Sequence, residues 1–223
     1  MTQFTGFGAR ALPFLKALDF HQDRDWFKAN RALFDSELET PRGDLIEALT
    51  EAFAKDGLPF KGDRKTSTYR IYRDVRFAKD KRPFNRHVSA LLTPSGKKDE
   101  AEGCFFIHVG LEACFRVVGF YMPEPEKLRA YRNSIVTWPD RFRTMEAGLK
   151  KGGLALGSDG TLKRLPQGFE TVSEPDLAAG VKLKHFYTRE EIDPKRVTEP
   201  GLVEDCVKFA RRAMPLFEWG VNR

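Results

Sequence analysis

Cys104-Phe105-Phe106-Ile107-His108-Val109-Gly110-Leu111-Glu112-Ala113-Cys114-Phe115-Arg116-Val117-Val118-Gly119-Phe120-Tyr121 is the stretch on which the fold turns. Two runs rich in β-branched and aromatic residues, Cys104 to Val109 and Cys114 to Tyr121, flank Gly110 to Ala113, so a β-hairpin is expected. Working outward, Val88 to Thr93 reads as the strand before it, with the polar run Ser95 to Gly103 as the intervening loop. Thr66 to Phe77 (TSTYRIYRDVRF) alternates with a period of two and reads as a further strand. Short connections between these strands favour an antiparallel sheet.

On either side the apolar spacing changes to that of helices. From about residue 9 to 56, Leu12, Phe14, Leu15 and Leu18 share one stripe, and Asp23 is placed to cap a helix carrying Trp26, Phe27, Asn30 and Phe34. Pro41 opens a helix whose buried face is Leu45, Ile46, Leu49 and Phe53, and Gly57 closes it. Beyond the hairpin, helices are expected from Pro125 through Ile135 and from Pro139 through Leu149, with a turn-rich break at Gly152 to Gly160. Val181 to Tyr187 reads as one more strand, and Leu202 to Phe217 as a closing amphipathic helix. The expectation is a single α+β domain over 1–223: helical at 9–56, sheet-rich at 66–121, and helices with C-terminal elements over 124–223.

The 223 residues are 41% hydrophobic and 31% charged, ordinary values for a folded globular chain. Cys104, Cys114 and Cys206 each sit among apolar neighbours and form no CxxC, so free buried thiols in a reducing compartment are expected. Arg10 and Lys16 interrupt the N-terminal apolar residues, against a signal peptide. No apolar run approaches the ~18 residues of a membrane span. A cytoplasmic protein without a membrane association is the expectation.

Charge is concentrated. Lys61 to His87 holds ten Lys or Arg against Asp63, Asp74 and Asp80, whereas the net charge of the whole chain is only +6. As a strand, Tyr69 to Phe77 would put Tyr69, Ile71, Arg73, Val75 and Phe77 on one face and Arg70, Tyr72, Asp74 and Arg76 on the other. Arg73 would then join the apolar face and require a carboxylate, because an unpaired buried charge is costly. Guanidiniums around a single carboxylate suit phosphate or carboxylate ligands. The candidate ligand-binding residues are Arg70, Arg73, Asp74, Arg76, Asp80 and Lys81.

Arg70-Ile71-Tyr72-Arg73-Asp74-Val75-Arg76-Phe77-Ala78-Lys79-Asp80-Lys81-Arg82-Pro83-Phe84 resembles the signature stretch of the family named domain of unknown function 2461. Weaker collinear matches run along nearly the whole chain: Phe14-Leu15, Asp25-Trp26-Phe27, Asn30-Arg31, Gly119, Tyr121, Pro123, Leu128, Arg132, Leu165-Pro166, Gly168-Phe169, Pro215, Leu216 and Trp219. Phe84 stands where the family usually has Tyr, and His21-Gln22 where it commonly has an Asn pair. The resemblance implies no activity, so no catalytic residue is carried over.

Three uses of the basic segment stay open beside a purely structural Arg–Asp network. One is an anionic-ligand site. Another is an enzyme acting on a phosphorylated or carboxylated small molecule at the same place, with Asp74, Asp80 or His87 moving the proton. The third is a nucleic-acid-binding module, since aromatics interleave the arginines. His21, His87, His108 and His185 show no HExxH or other ligand spacing, so no metal site is expected. No GxSxG, P-loop or GxGxxG occurs, and no cofactor is expected.

Overall fold

The computed structural model describes residues 3–98 and 103–222. Residues 99–102 of the expected Ser95–Gly103 loop lie outside the described residues. Strands β1 (His87–Leu92), β2 (Cys104–Gly110), β3 (Cys114–Phe120) and β4 (Phe186–Glu191) hydrogen-bond in that order. β1 and β2 are antiparallel with Val88 opposite Val109, Ala90 opposite Ile107 and Leu92 opposite Phe105. All six of these side chains are buried, so the period-two pattern fixes both face and register. The expected hairpin connects β2 to β3. With helices before and after the sheet, the fold is α+β.

The helices before it are α1 (Ala11–His21), α2 (Arg24–Ala29), α3 (Arg31–Phe34) and α4 (Thr40–Lys55). Asp23 caps α2, its carboxylate accepting from the Trp26 N–H at 2.7 Å. A π turn at Asp35–Glu39 joins α3 to α4 without a break. It turns Glu37 inward, where the carboxylate accepts from the Arg10 backbone N–H at 2.9 Å and pairs with the Arg10 guanidinium at 3.0 Å. Later helices are α5 (Pro125–Thr137), α6 (Pro139–Lys151), α7 (Pro175–Lys182) and α8 (Leu202–Val221).

The chain forms two compact units. The first comprises 1–101, 105–116 and 191–208. Its core joins Phe14, Phe27, Phe34 and Phe84, with ring centroids 4.7 Å apart for Phe27–Phe84 and 5.3 Å for Phe27–Phe34. A second aromatic group, Phe53, Phe60 and Phe105, lies where α4 packs on the sheet. The second unit comprises 102–104, 117–190 and 209–223. Trp219 centres its core, packed against Tyr131, Phe142 and Phe186. Arg132 donates to the Val181 and Leu183 carbonyls at 2.8 and 3.1 Å, taking acceptors freed at the end of α7.

Two sequence expectations are corrected. Val181 belongs to α7, and the strand expected at Val181–Tyr187 begins instead at Phe186 and reaches Glu191. Pro175 opens that helix, and Leu177, Gly180 and Val181 are buried at helical spacing; a short apolar run does not separate the two periods. Thr66–Phe77 is not a regular strand. It makes isolated bridges, Thr68 with Ala90 and Tyr72 with Phe84. Between those bridges one side advances from 68 to 72 and the other from 84 to 90, so the ladder slips. Past Arg73, aspartates capture the backbone: Arg76 N–H donates to Asp74 Oδ1 at 3.2 Å and Arg82 N–H to Asp80 Oδ1 at 3.0 Å.

Gly119 has φ +145°, and a Cβ there would meet the Phe186 carbonyl oxygen at 2.3 Å. Backbone strain and a backbone clash act together, so Gly119→Ala should lower stability by about 2 kcal/mol or more in a urea melt. Burial pushes the Cys104 thiol up to about 12 from 9.0. The unfolded chain therefore releases this proton first as pH rises. Stability should fall between pH 9.0 and about 12, and Cys104→Ala should remove that part of the decline.

Candidate functional site

The six residues singled out from the sequence do not converge on one point. Arg70 lines a cleft of about 510 Å³ together with Arg31, Phe34, Glu39, Arg42, Lys65, Thr68, Tyr69, Ile71, Tyr72 and Lys98. Arg73 and Asp80 line a different cleft of about 360 Å³, shared with Arg82, Phe84, Asn85, Arg86, His87, His108, Leu111 and Glu112. Asp74, Arg76 and Lys81 line neither; they belong to the loop between them. All of these residues are in the first compact unit.

In that loop the charges satisfy one another. Asp74 holds Arg76 with two hydrogen bonds, at 3.0 and 2.7 Å. The Arg76 side chain and backbone N–H keep Asp74 below the usual carboxylate range. Lys81 Nζ donates to the Val75 and Arg76 carbonyls at 3.0 and 3.3 Å, pinning the loop rather than facing a cleft.

The smaller cleft, called here the histidine cleft, is built on an ion-pair chain. Asp80 accepts from Arg73 at 2.9 Å and from Arg82 at 2.9 Å, and Arg82 also reaches Asp19 at 3.1 Å. Arg86 pairs with Glu112 at 2.5 Å and lies 3.7 Å from Asp19. Arg73 thus has the carboxylate expected of it, but its side chain is 27% exposed instead of buried in the core. Each guanidinium here has an anionic partner. His87 stacks near His108, 4.3 Å between centroids, and His108 lies on Phe115 at 4.5 Å. Burial, and then the Arg86 charge, hold the His87 imidazole below 6.5.

The larger cleft, called the Tyr72 cleft, is different. Five cationic side chains, Arg31, Arg42, Lys65, Arg70 and Lys98, meet one carboxylate, Glu39. Arg31 has Asp35 at 2.8 Å, and Lys98 Nζ donates to the Thr68 carbonyl at 2.6 Å. Among the described residues, Lys65 and Arg70 have no carboxylate within ion-pair distance.

Arg42 was absent from the sequence candidates. It lies in the first turns of α4, only 3% exposed, and donates to the Tyr69 carbonyl at 2.8 Å and to Glu39 Oε2 at 2.5 Å. Its Nε is buried without a partner among the described residues. The sequence hint was a lone Arg one residue after a helix-opening Pro, which a solvated helix face explains equally well. The π turn supplies the rest: it borders the cleft and sets Glu39 three residues before Arg42. Such turns recur at functional sites.

Apart from the His87–His108 pair, the histidines lie at separate places. His21 stacks on Trp26 at 4.6 Å, and His185 Nδ1 accepts from the Met122 N–H at 2.9 Å. Among the described residues, no group of three or more His, Cys, Asp or Glu is arranged to hold a metal ion.

Residues 10–219 match the family of conserved hypothetical proteins DUF2461. The chain belongs to this family. No curated protein and no solved structure matches it. The two family departures noted above meet in space: the Gln22 side chain accepts from the Phe84 N–H at 3.1 Å and donates to the Phe84 carbonyl at 3.4 Å. Gln22 ends α1 with φ 44°, the left-handed conformation that Asn tolerates well.

Removing the Arg42 guanidinium would leave Glu39 and the Tyr69 carbonyl without their donor. Arg42→Ala should therefore cost about 3 kcal/mol in denaturant unfolding. Arg73→Ala, at a half-exposed pair, should lower the melting temperature by less than about 4 °C. His87 gives a pH signature. The unfolded chain takes up its proton near 6.5 while the folded one resists, so stability should be lost as pH falls below 6.5. Urea midpoints for wild type and His87→Gln should converge on the acid side, the variant showing the shallower decline.

Proposed function

We propose that this protein binds an anionic small molecule, bearing phosphate or carboxylate, in the Tyr72 cleft. The observation that carries the proposal is the charge imbalance there: five cationic side chains against one carboxylate, with Lys65 and Arg70 exposed and no carboxylate within ion-pair distance of either among the described residues. Exposed cations without a carboxylate partner offer charge-assisted hydrogen bonds to phosphate or carboxylate oxygens. The volume, about 510 Å³, falls within the roughly 300–1,000 Å³ of small-molecule pockets. Among the earlier candidates Arg70 belongs to the binding set. Arg73, Asp74, Arg76, Asp80 and Lys81 serve as the framework that shapes the loop.

The histidine cleft supports the reading by contrast. Its guanidiniums already hold carboxylates, so an incoming anion would have to displace Asp80, Asp19 or Glu112. No described helix is long and apolar enough to cross a membrane, and the three cysteines are buried and in no disulfide. Both fit a protein of the reducing cytoplasm.

One observation favours a second reading, nucleic-acid contact. Phe77 is 96% exposed on the cationic loop, with the Arg76 guanidinium 5.9 Å from its ring. Exposed aromatics among cations are stacking platforms for single strands. A gel shift at low salt in which Phe77→Ala abolishes single-strand binding would favour it; no shift at micromolar protein removes it.

The anion reading makes a sharper demand. In phosphate or sulfate titrations followed by calorimetry, Arg70→Ala and Lys65→Ala should each weaken affinity by about tenfold or more, since a hydrogen bond to a charged group contributes about 1.5–3 kcal/mol. Both side chains are exposed, so their melting temperatures should barely change. Arg76→Ala, outside the cleft, should bind as wild type does. Equal affinities across all four proteins would overturn the proposal.

A further inference from the structure

Resting on that reading, we infer that the ligand of the Tyr72 cleft is a ribonucleoside monophosphate, its base stacked on Tyr72 and its phosphate at Arg70 and Lys65. The Tyr72 ring is 42% exposed yet firmly seated. Phe84 backs it at 5.1 Å and Phe27 meets it edge-on at 5.7 Å, and both of those rings are buried. The backbone bridge between Tyr72 and Phe84 holds the residue from behind. An exposed aromatic face on a fixed support stacks a flat ring at little entropic cost.

Tyr69 is less suited to the same task. Lys98 Nζ already sits 4.8 Å from its ring centroid, and Phe106 packs edge-on at 6.2 Å. Tyr72 therefore provides the platform. Arg70 precedes it by two residues, about 7 Å for two extended residues, and both line the same cleft, exposed on either side of buried Ile71. A pentose spans that order of separation between base and phosphate. A bare anion would leave the Tyr72 face unused, and an uncharged ring compound would leave the cations unused.

Glu39 points to the sugar. Its Oε2 accepts from Arg42, while Oε1 has no hydrogen-bond donor among the described residues. A carboxylate with a free oxygen is the group that binds ribose hydroxyls, as it does where dinucleotide folds hold an adenosine ribose. The chemistry on the lining thus has three parts in one cleft: guanidinium for phosphate, carboxylate for hydroxyls, phenol ring for base.

The test is isothermal titration of the full chain with inorganic phosphate, ribose 5-phosphate, and the 5′-monophosphates of adenosine, guanosine, cytidine and uridine. At least one nucleotide should bind about tenfold or more tighter than ribose 5-phosphate, and its 2′-deoxy analogue should bind more weakly. Tyr72→Leu should erase the nucleotide's advantage while leaving ribose 5-phosphate unchanged, and Tyr72→Phe should keep it. Preserved ribose 5-phosphate binding shows that the variant is folded. Nucleotides no tighter than ribose 5-phosphate would overturn this inference and leave the anion reading standing. Absence of binding by every compound at millimolar concentration would overturn both.

Discussion

Asp63, Asp74 and Asp80 each accept a hydrogen bond from the backbone N–H two residues ahead, and the geometry of the basic segment depends on these contacts. A carboxylate that takes a main-chain donor removes it from any strand ladder and forces a turn. At Asp74 and Asp80 the same oxygens also receive the neighbouring guanidiniums of Arg76 and Arg82. Charge neutralisation and chain reversal are therefore one event in this segment. That is why a run with strong strand propensity becomes a sequence of turns with isolated bridges, and why its arginines spread over two clefts and a loop.

Helix α4 secures the segment from the other side. Arg42 grips the Tyr69 carbonyl, and Arg64 reaches back to Asp44 at 2.8 Å and Glu47 at 3.4 Å. Gly43 is part of this fit, since a Cβ at that position would lie 2.5 Å from the Arg64 guanidinium. The π turn before α4 places one more residue in the helical path than an α-helix would, turning Glu37 towards Arg10 and leaving Glu39 beside Arg42. The Tyr72 cleft is thus assembled from rigid elements, with a helix on one side and the bridged segment on the other. Ligand geometry is best held by such supports.

The two clefts illustrate how similar composition yields different electrostatics. Both hold several guanidiniums. In the histidine cleft they alternate with carboxylates drawn from α1, the loop and the hairpin turn, giving a chain of pairs that holds those elements together. In the Tyr72 cleft the carboxylates are fewer, and aromatic rings occupy the space between cations. The first arrangement is internally complete; the second sets five cationic side chains against one lining carboxylate.

The sequence by itself determined the elements that depend on nearest neighbours along the chain. Asp23 capping α2, the proline-initiated α4, α5, α6 and the hairpin from Cys104 to Phe120 all follow from local periodicity and capping, because the stabilising partners lie within a few residues. It also located the densest cluster of charge. The division of the arginines was decided by tertiary structure, because it depends on partners far away in sequence: Asp19 for Arg82 and Tyr69 for Arg42. The boundary near Val181 and the turns past Arg73 have local causes that periodicity alone does not separate, a short apolar run that fits two periods and aspartates that take backbone donors two residues on. Alternation assigns a residue to a face, but which side chain fills the space opposite that face is set only when distant segments pack. Arg42 and Lys98 were invisible as site residues for the same reason, since their charge acquires meaning only from the carbonyls and rings that folding brings beside them.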